Sequence, residues 1–189
     1  MVKAQKKKIG RKIKRLEFGI KLDNKKLLQV LLFLIKFNLL AIPMYLAIYF
    51  NLELIPLQQF LADAVYAVLR FLGYDVMKGG LVLTLTSGFT IANIKMSVDC
   101  VGWKSMYALA ALAIATPLPN DLKKLKFIVA GVLAVAALNF ARVLTTILAF
   151  YHFGLQALDV VHTFLWREGL IITIVLIWLM WLKSARSRR

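Results

Sequence analysis

Residues 27–50 form an almost unbroken apolar run, LLQVLLFLIKFNLLAIPMYLAIYF, which predicts a first membrane-crossing helix. At about 1.5 Å per residue the run reaches roughly 36 Å, enough to cross a bilayer with some tilt. Lys36 and Asn38 interrupt it, and Pro43 is tolerable where neighbouring groups satisfy the carbonyl it frees. Residues 57–72 keep helical apolar spacing with Gln58, Gln59, Asp63 and Arg70 interspersed. That predicts a short amphipathic helix lying on, or dipping into, the outer interface and stopped by Gly73. Over 81–98 the period changes: two alternating, β-branched-rich runs flank Thr86-Ser87-Gly88, a hairpin pattern. An open hairpin leaves unpaired edges in lipid, so it belongs in the outer aqueous or interfacial layer.

Cys100 opens the next apolar run, 100–118, which Pro117 and Pro119 close. A span near 127–150, an outer connection over 151–161 and a last span near 162–182 follow. The predicted fold is mainly α: a polytopic transmembrane helical bundle of about four full spans, with the outer helix and the hairpin placed before the cysteine helix. No internal repeat or low-complexity linker appears, so residues 27–182 read as one domain between a basic segment, 1–26, and a basic tail, 183–189.

Composition narrows the class. The chain is 61% hydrophobic and 18% charged, with mean hydropathy +0.75, against about 45–50% apolar and about 25% charged for a soluble domain. Too little polar surface is left for a soluble enzyme, a disordered tail or a large domain outside the bilayer. A single cysteine excludes a disulfide-stapled module.

The net charge of +16 raises nucleic acid, but its placement argues for membrane topology. Residues 1–26 hold 11 Lys/Arg against Glu17 and Asp23, loop 119–126 adds Lys123, Lys124 and Lys126, and the tail adds Lys183, Arg186, Arg188 and Arg189. The stretch 51–101 has three basic and four acidic residues. Basic residues in short segments beside spans mark the cytoplasmic side. Both termini are therefore expected in the cytoplasm and Cys100 at the outer face of a cell membrane. No nucleic-acid recognition motif accompanies the charge, and the basic head instead suits anionic lipid headgroups, at about 1 kcal/mol per residue. Its length, and the lack of a small-residue cleavage site in the following run, argue against a cleaved signal peptide.

Ionisable groups inside spans are costly and usually mark function. Cys100 lies at the outer end of its span, Arg142 about 15 residues into the outward-running one, and His162 where the last begins. Three helices thus present a thiol, a guanidinium and an imidazole at similar depth. Each has a plainer reading: Cys100 as a small packing residue, Arg142 as a snorkelling interfacial cation, His162 (like His152) as an interface residue. Against the plainer reading, Cys100 stands at a predicted helix N-terminus with Lys104 at i+4, and both features favour a nucleophilic thiolate. Asp99 opposes that effect unless it orients a partner, and Gly102 admits close approach of a backbone or substrate. Asn139, three residues before Arg142, extends a polar stripe that points into the bundle. A guanidinium held there suits an oxyanion, and an imidazole beside a thiol suits general acid–base work. Arg167 and Glu168 point to different sides of the last span, as ion-pair members or as a hydrogen-bond partner to a catalytic group. Two histidines ten residues apart and one cysteine lack metal-ligand spacing, so neither metal nor cofactor is expected.

The stretch Asp99-Cys100-Val101-Gly102-Trp103-Lys104-Ser105 resembles the Cys-x-Gly motif of the exosortase/archaeosortase membrane transpeptidases, and its Gly-Trp-Lys-Ser continuation is similar to the archaeal branch. Asn139-Phe140-Ala141-Arg142 resembles that family's Asn-x-x-Arg motif, about 40 residues downstream, and His162 falls at the third family position. The resemblance covers about residues 57–180. Val101 departs from it, standing where the family usually has Ser or Thr, and the chain is shorter than typical members. The resemblance implies a cysteine transpeptidase or protease acting on secreted proteins that carry a C-terminal motif, a hydrophobic helix and a basic cluster. Such an enzyme cuts near the motif and passes the new carboxyl end to a membrane or surface acceptor, a membrane lipid among the candidates. In that reading Cys100 attacks, His162 shuttles the proton and Arg142 binds the oxyanion or orients substrate, the last two roles being exchangeable; Asn139, Gly102, Lys104 and Asp99 support them. Two competing readings are a non-catalytic membrane module that recognises a partner's transmembrane helix, and an outer-face acyltransferase that forms a thioester on the same thiol.

Overall fold

The computed structural model describes residues 24–88, 90–117, 121–154, 156 and 169–187. In chain order these form α1 (Asn24–Tyr49), α2 (Ile55–Phe71), β1 (Val76–Gly79), β2 (Val82–Ser87), β3 (Thr90–Lys95), a 3-10 turn (Val98–Val101), α3 (Trp103–Ala115), α4 (Asp121–Phe153) and α5 (Leu170–Ser187). The expected mainly helical class holds.

Among the described residues two helices are long and apolar enough to cross a membrane, over Lys26–Tyr49 and Leu122–Phe153. The cysteine helix is shorter than the expected 100–118 run. Its 13 residues rise only about 20 Å against a hydrocarbon core of about 30 Å. Two candidate spans thus stand where about four were expected, the last expected span, 162–182, lying partly outside the described residues. The shortening of the cysteine helix has a local reason: Gly102 takes a left-handed backbone, φ 75°, which breaks helical continuity between Cys100 and Trp103.

α3, α4 and α5 pack through Leu109, Val135 and Ile174, with Met106, Leu112, Phe127 and Trp178 around them. α3 and α4 run close together at Gly131, where a Cβ would lie 2.7 Å from Leu109 Cδ2 and the leucine side chain would have to shift to admit it. Polar side chains along this bundle find partners within it. Trp178 Nε1 donates to Thr116 Oγ1 at 3.0 Å, and Thr116 Oγ1 donates to the Leu112 carbonyl at 2.6 Å. α1 joins through Phe33 stacked on Trp178 and through Tyr107, whose hydroxyl donates to the Leu40 carbonyl at 2.6 Å. That bond falls beside the carbonyl of Leu39, which loses its helical donor because Pro43 has no N–H. Large apolar side chains on α1, including Leu31, Leu39, Ile42 and Tyr45, are exposed, as suits a helix facing lipid rather than water.

A second layer caps the C-terminal half of α4. The expected two-stranded hairpin is a three-stranded antiparallel meander, β1-β2-β3. The sequence reading missed β1 because four residues ending in Gly79-Gly80 give too short an alternation to register. The turn begins two residues later than expected: Thr86 and Ser87 still pair, with Ile91 and Thr90. Strand alternation turns Val76, Leu83, Leu85 and Ala92 inward, onto Leu61, Ala62, Val65 and Leu69 of α2 and Val143, Ile147 and Phe150 of α4. On the outer face Thr84 Oγ1 donates to Asn93 Oδ1 at 2.8 Å. The cap is tied to the end of α4 by Tyr151, whose hydroxyl donates to the Asp75 carbonyl at 2.5 Å. Tyr74 Oη shares a 3.1 Å hydrogen bond with His152 Nε2.

Candidate functional site

The 3-10 turn carrying Cys100 lies where the cap meets the bundle. It follows β3 directly, and its backbone is closed by Cys100 N–H donating to the Ser97 carbonyl and Gly102 N–H to the Asp99 carbonyl, at 3.0 and 3.2 Å. Cys100 is half-buried and its thiol is free. Its sulfur stands 3.4 Å from Ser97 Oγ.

Two buried amides hold this turn from opposite elements. Asn139 of α4, 1% exposed, donates from Nδ2 to the Cys100 carbonyl at 2.7 Å. Gln58 of α2, 3% exposed, donates from Nε2 to the Met96 carbonyl at 3.0 Å. Neither Asn139 Oδ1 nor Gln58 Oε1 has a hydrogen-bond partner among the described residues. Buried amides are normally satisfied more fully, and each half-used amide here is positioned by the carbonyl it grips.

Gly102 explains how Asn139 comes so near. A Cβ at Gly102 would lie 2.7 Å from Asn139 Cγ and 2.9 Å from its Oδ1. The expected close approach at Gly102 is thus real, and the approaching group is the Asn139 side chain. One helical turn beyond Asn139 on the same face comes Arg142, 8% exposed. Its guanidinium lies within electrostatic reach of Cys100. Its backbone carbonyl accepts from Thr146 Oγ1 at 2.9 Å.

The sequence-predicted cluster therefore comes together in part. Cys100, Gly102, Asn139 and Arg142 gather at one junction of β3, α3 and α4. Asn139, expected to support Arg142, is seen to grip the cysteine turn. Lys104 was expected beside the thiol, but its ammonium pairs with Asp99 Oδ1 at 2.6 Å. The i+4 relation does not apply, because Cys100 sits before the left-handed Gly102 and outside α3. Asp99 accordingly has its partner, with both side chains about 40% exposed (41% for Lys104, 38% for Asp99). His162, Arg167 and Glu168 lie outside the described residues. Among the described residues no group of three His, Cys, Asp or Glu side chains could hold a metal.

Gln58 and Ser97 escaped the sequence reading. Gln58 left a usable signal, since it occupies the apolar stripe that continues through Leu61, Ala62, Val65 and Leu69, all buried. A glutamine inside such a stripe needs a buried partner. Ser97 left none, because its contact depends on the turn that follows it.

Compared with known families, the chain matches the model of the transmembrane exosortases over residues 22–182. The chain belongs to the transmembrane exosortase family. No curated protein and no solved structure matches it. The match covers α1 as well as the motif-bearing segments, reaching beyond the stretch that the motifs alone suggested. Membership makes the chain a membrane protein and points to a transpeptidase of the sortase-like kind.

Proposed function

We propose that this exosortase-family protein is a membrane cysteine transpeptidase with Cys100 as nucleophile. The observation that carries the reading is the Asn139 clamp. It fixes the cysteine turn against α4, one turn from a buried arginine in electrostatic reach of the sulfur. Acyl transfer develops negative charge on the carbonyl oxygen, and a guanidinium buried one turn from the clamp suits that charge.

The reaction runs in two halves. Cys100 sulfur attacks the scissile carbonyl, passing its proton to His162. The C–N bond breaks, the thioester forms, and the departing amine of the substrate's C-terminal tail takes that proton back. The acceptor nucleophile then loses its proton to His162, attacks the thioester and releases the thiol, which regains a proton. Arg142 holds the oxyanion in both tetrahedral states. Asn139 and Gly102 position the turn, and the Asp99–Lys104 pair braces the start of α3.

The substrates are secreted proteins bearing a C-terminal motif, a hydrophobic helix and a basic cluster, and the acceptor is at the membrane or surface, a membrane lipid among the candidates. The basic segments at both ends and in loop 119–126 support cytoplasmic termini, four crossings and a site opening outward. Cys100 before the start of α3 suits a helix-tailed substrate, whose cleavable bond would lie near the outer end of its own membrane helix. The Gly-Trp-Lys-Ser continuation at 102–105 supports the archaeal-type branch. The test is co-expression of a tailed substrate with the wild type or Cys100→Ala. Loss of processing with a stably inserted variant is expected, and equal processing by both would overturn the assignment.

A further inference from the structure

Three residues before the cysteine, Ser97 ends the connection from β3 with an extended backbone, φ −76° and ψ 165°. Its carbonyl accepts from Cys100 N–H at 3.0 Å, and its hydroxyl stands 3.4 Å from the Cys100 sulfur. We propose that Ser97 is a further member of the reaction centre, a hydroxyl that donates a hydrogen bond to the Cys100 sulfur as that sulfur takes on negative charge. The inference rests on the reading of Cys100 as nucleophile.

The geometry favours this role over incidental contact. Either atom can donate while the thiol is protonated, but a thiolate is acceptor only, so ionisation fixes Ser97 as donor. Hydrogen bonds to an ionised partner are among the stronger ones. The contact is also held from both sides. Upstream, the Met96 carbonyl accepts from Gln58 and its N–H donates to the Leu81 carbonyl at 2.8 Å. Downstream, the Cys100 carbonyl accepts from Asn139. Ser97 and the sulfur lie between two pinned points, so the hydroxyl does not need to be captured at each turnover. The turn's other side chains do not offer the same service, and the charges packed around it, Arg142 of α4 and the Asp99–Lys104 pair, are common to the wild type and the Ser97 variants. Val101 is apolar and buried, and Asp99 is engaged with Lys104. Ser97 does no capping with its side chain at the turn, which frees the hydroxyl for the sulfur.

Because the chain has one cysteine, iodoacetamide reports on this sulfur alone. The experiment measures alkylation of the full-length protein in liposomes across pH by intact mass. Ser97→Ala is expected to react roughly tenfold more slowly near neutral pH, at the lower end of what a hydrogen bond to a charged group supplies. It should converge with the wild type at strongly alkaline pH, where every accessible thiol is ionised. A merely structural role would not produce that convergence. Ser97→Thr keeps the hydroxyl in a backbone conformation that β-branched residues accept, and should recover the wild-type profile. Equal profiles for Ser97→Ala and the wild type overturn the proposal, and so does a Ser97→Thr variant as slow as Ser97→Ala. The nucleophile reading fails separately, through undiminished processing by Cys100→Ala, and that result leaves the alkylation profiles as they are.

Discussion

Replacing Gly102 by alanine tests the clamp at its narrowest point. The substitution has two costs that the structure separates. An L-residue at φ +75° in the left-handed region costs about 1–2 kcal/mol. The new Cβ would also stand 2.7 Å from Asn139 Cγ, so the amide must withdraw from the Cys100 carbonyl. Leaving a buried partner unsatisfied adds about 1–3 kcal/mol. Gly102→Ala is therefore expected to destabilise the protein by about 2–5 kcal/mol. Gly80→Ala supplies the control, because φ there is +61° and nothing lies within 4 Å of a Cβ, so only the backbone cost applies. In an Asn139→Ala background the obstacle is gone, and the increment from Gly102→Ala should fall to the control value, a coupling that a double-mutant cycle isolates. Reversible unfolding in mixed micelles, followed by tryptophan fluorescence, provides the free energies. Equal costs for Gly102→Ala and Gly80→Ala would refute the argument, as would an increment undiminished without Asn139.

Gln58→Ala removes the donor to the Met96 carbonyl and should cost about 1–3 kcal/mol; processing of a tailed substrate should fall while an apolar replacement elsewhere on the stripe, at Ala62, leaves the turn gripped. Asp99→Asn breaks a half-exposed pair with Lys104 and should change stability by less than about 1 kcal/mol, measured by unfolding at low and high salt. A larger loss that persists in high salt would show the pair to be more than a brace.

Periodicity carried the helical class, and charge placement carried the expectation of topology, because both depend on residue type along a segment. Apolar length marked α1 and α4 from composition alone. What escaped depends on backbone geometry at single residues. The run from Cys100 to Leu118 is apolar but for Lys104, Ser105 and Thr116, and nothing in its periodicity shows that Gly102 adopts a left-handed φ and delays α3 to Trp103. With that break, the helical spacing that set Lys104 beside the thiol ceases to apply, and Asp99 becomes the partner within reach. Asn139 and Arg142 were legible as a polar stripe at i, i+3 on an apolar helix, but not the partner of each. β1 was lost for a related reason: its four residues gain their identity from pairing with β2 rather than from their own alternation.

The two amides that grip the cysteine turn reach it from far along the chain, 38 residues from Gln58 to Met96 and 39 from Cys100 to Asn139. A contact of that separation forms only once the intervening chain has paid its loop-closure entropy, so each clamp waits for its own helix to dock. α2 must dock on the sheet before Gln58 can hold the strand end, and α4 must pack on α3 before Asn139 can hold the turn. A 3-10 turn of four residues, from Val98 to Val101, has little stability of its own. Its shape is thus dictated by helices that belong to two different layers. The sulfur is set in its final surroundings only when cap and bundle have come together, which couples the geometry of a reactive thiol to completed assembly. A cysteine placed at the first turn of a long autonomous helix would acquire its surroundings from local structure alone, as soon as that helix formed. The break at Gly102 removes that shortcut.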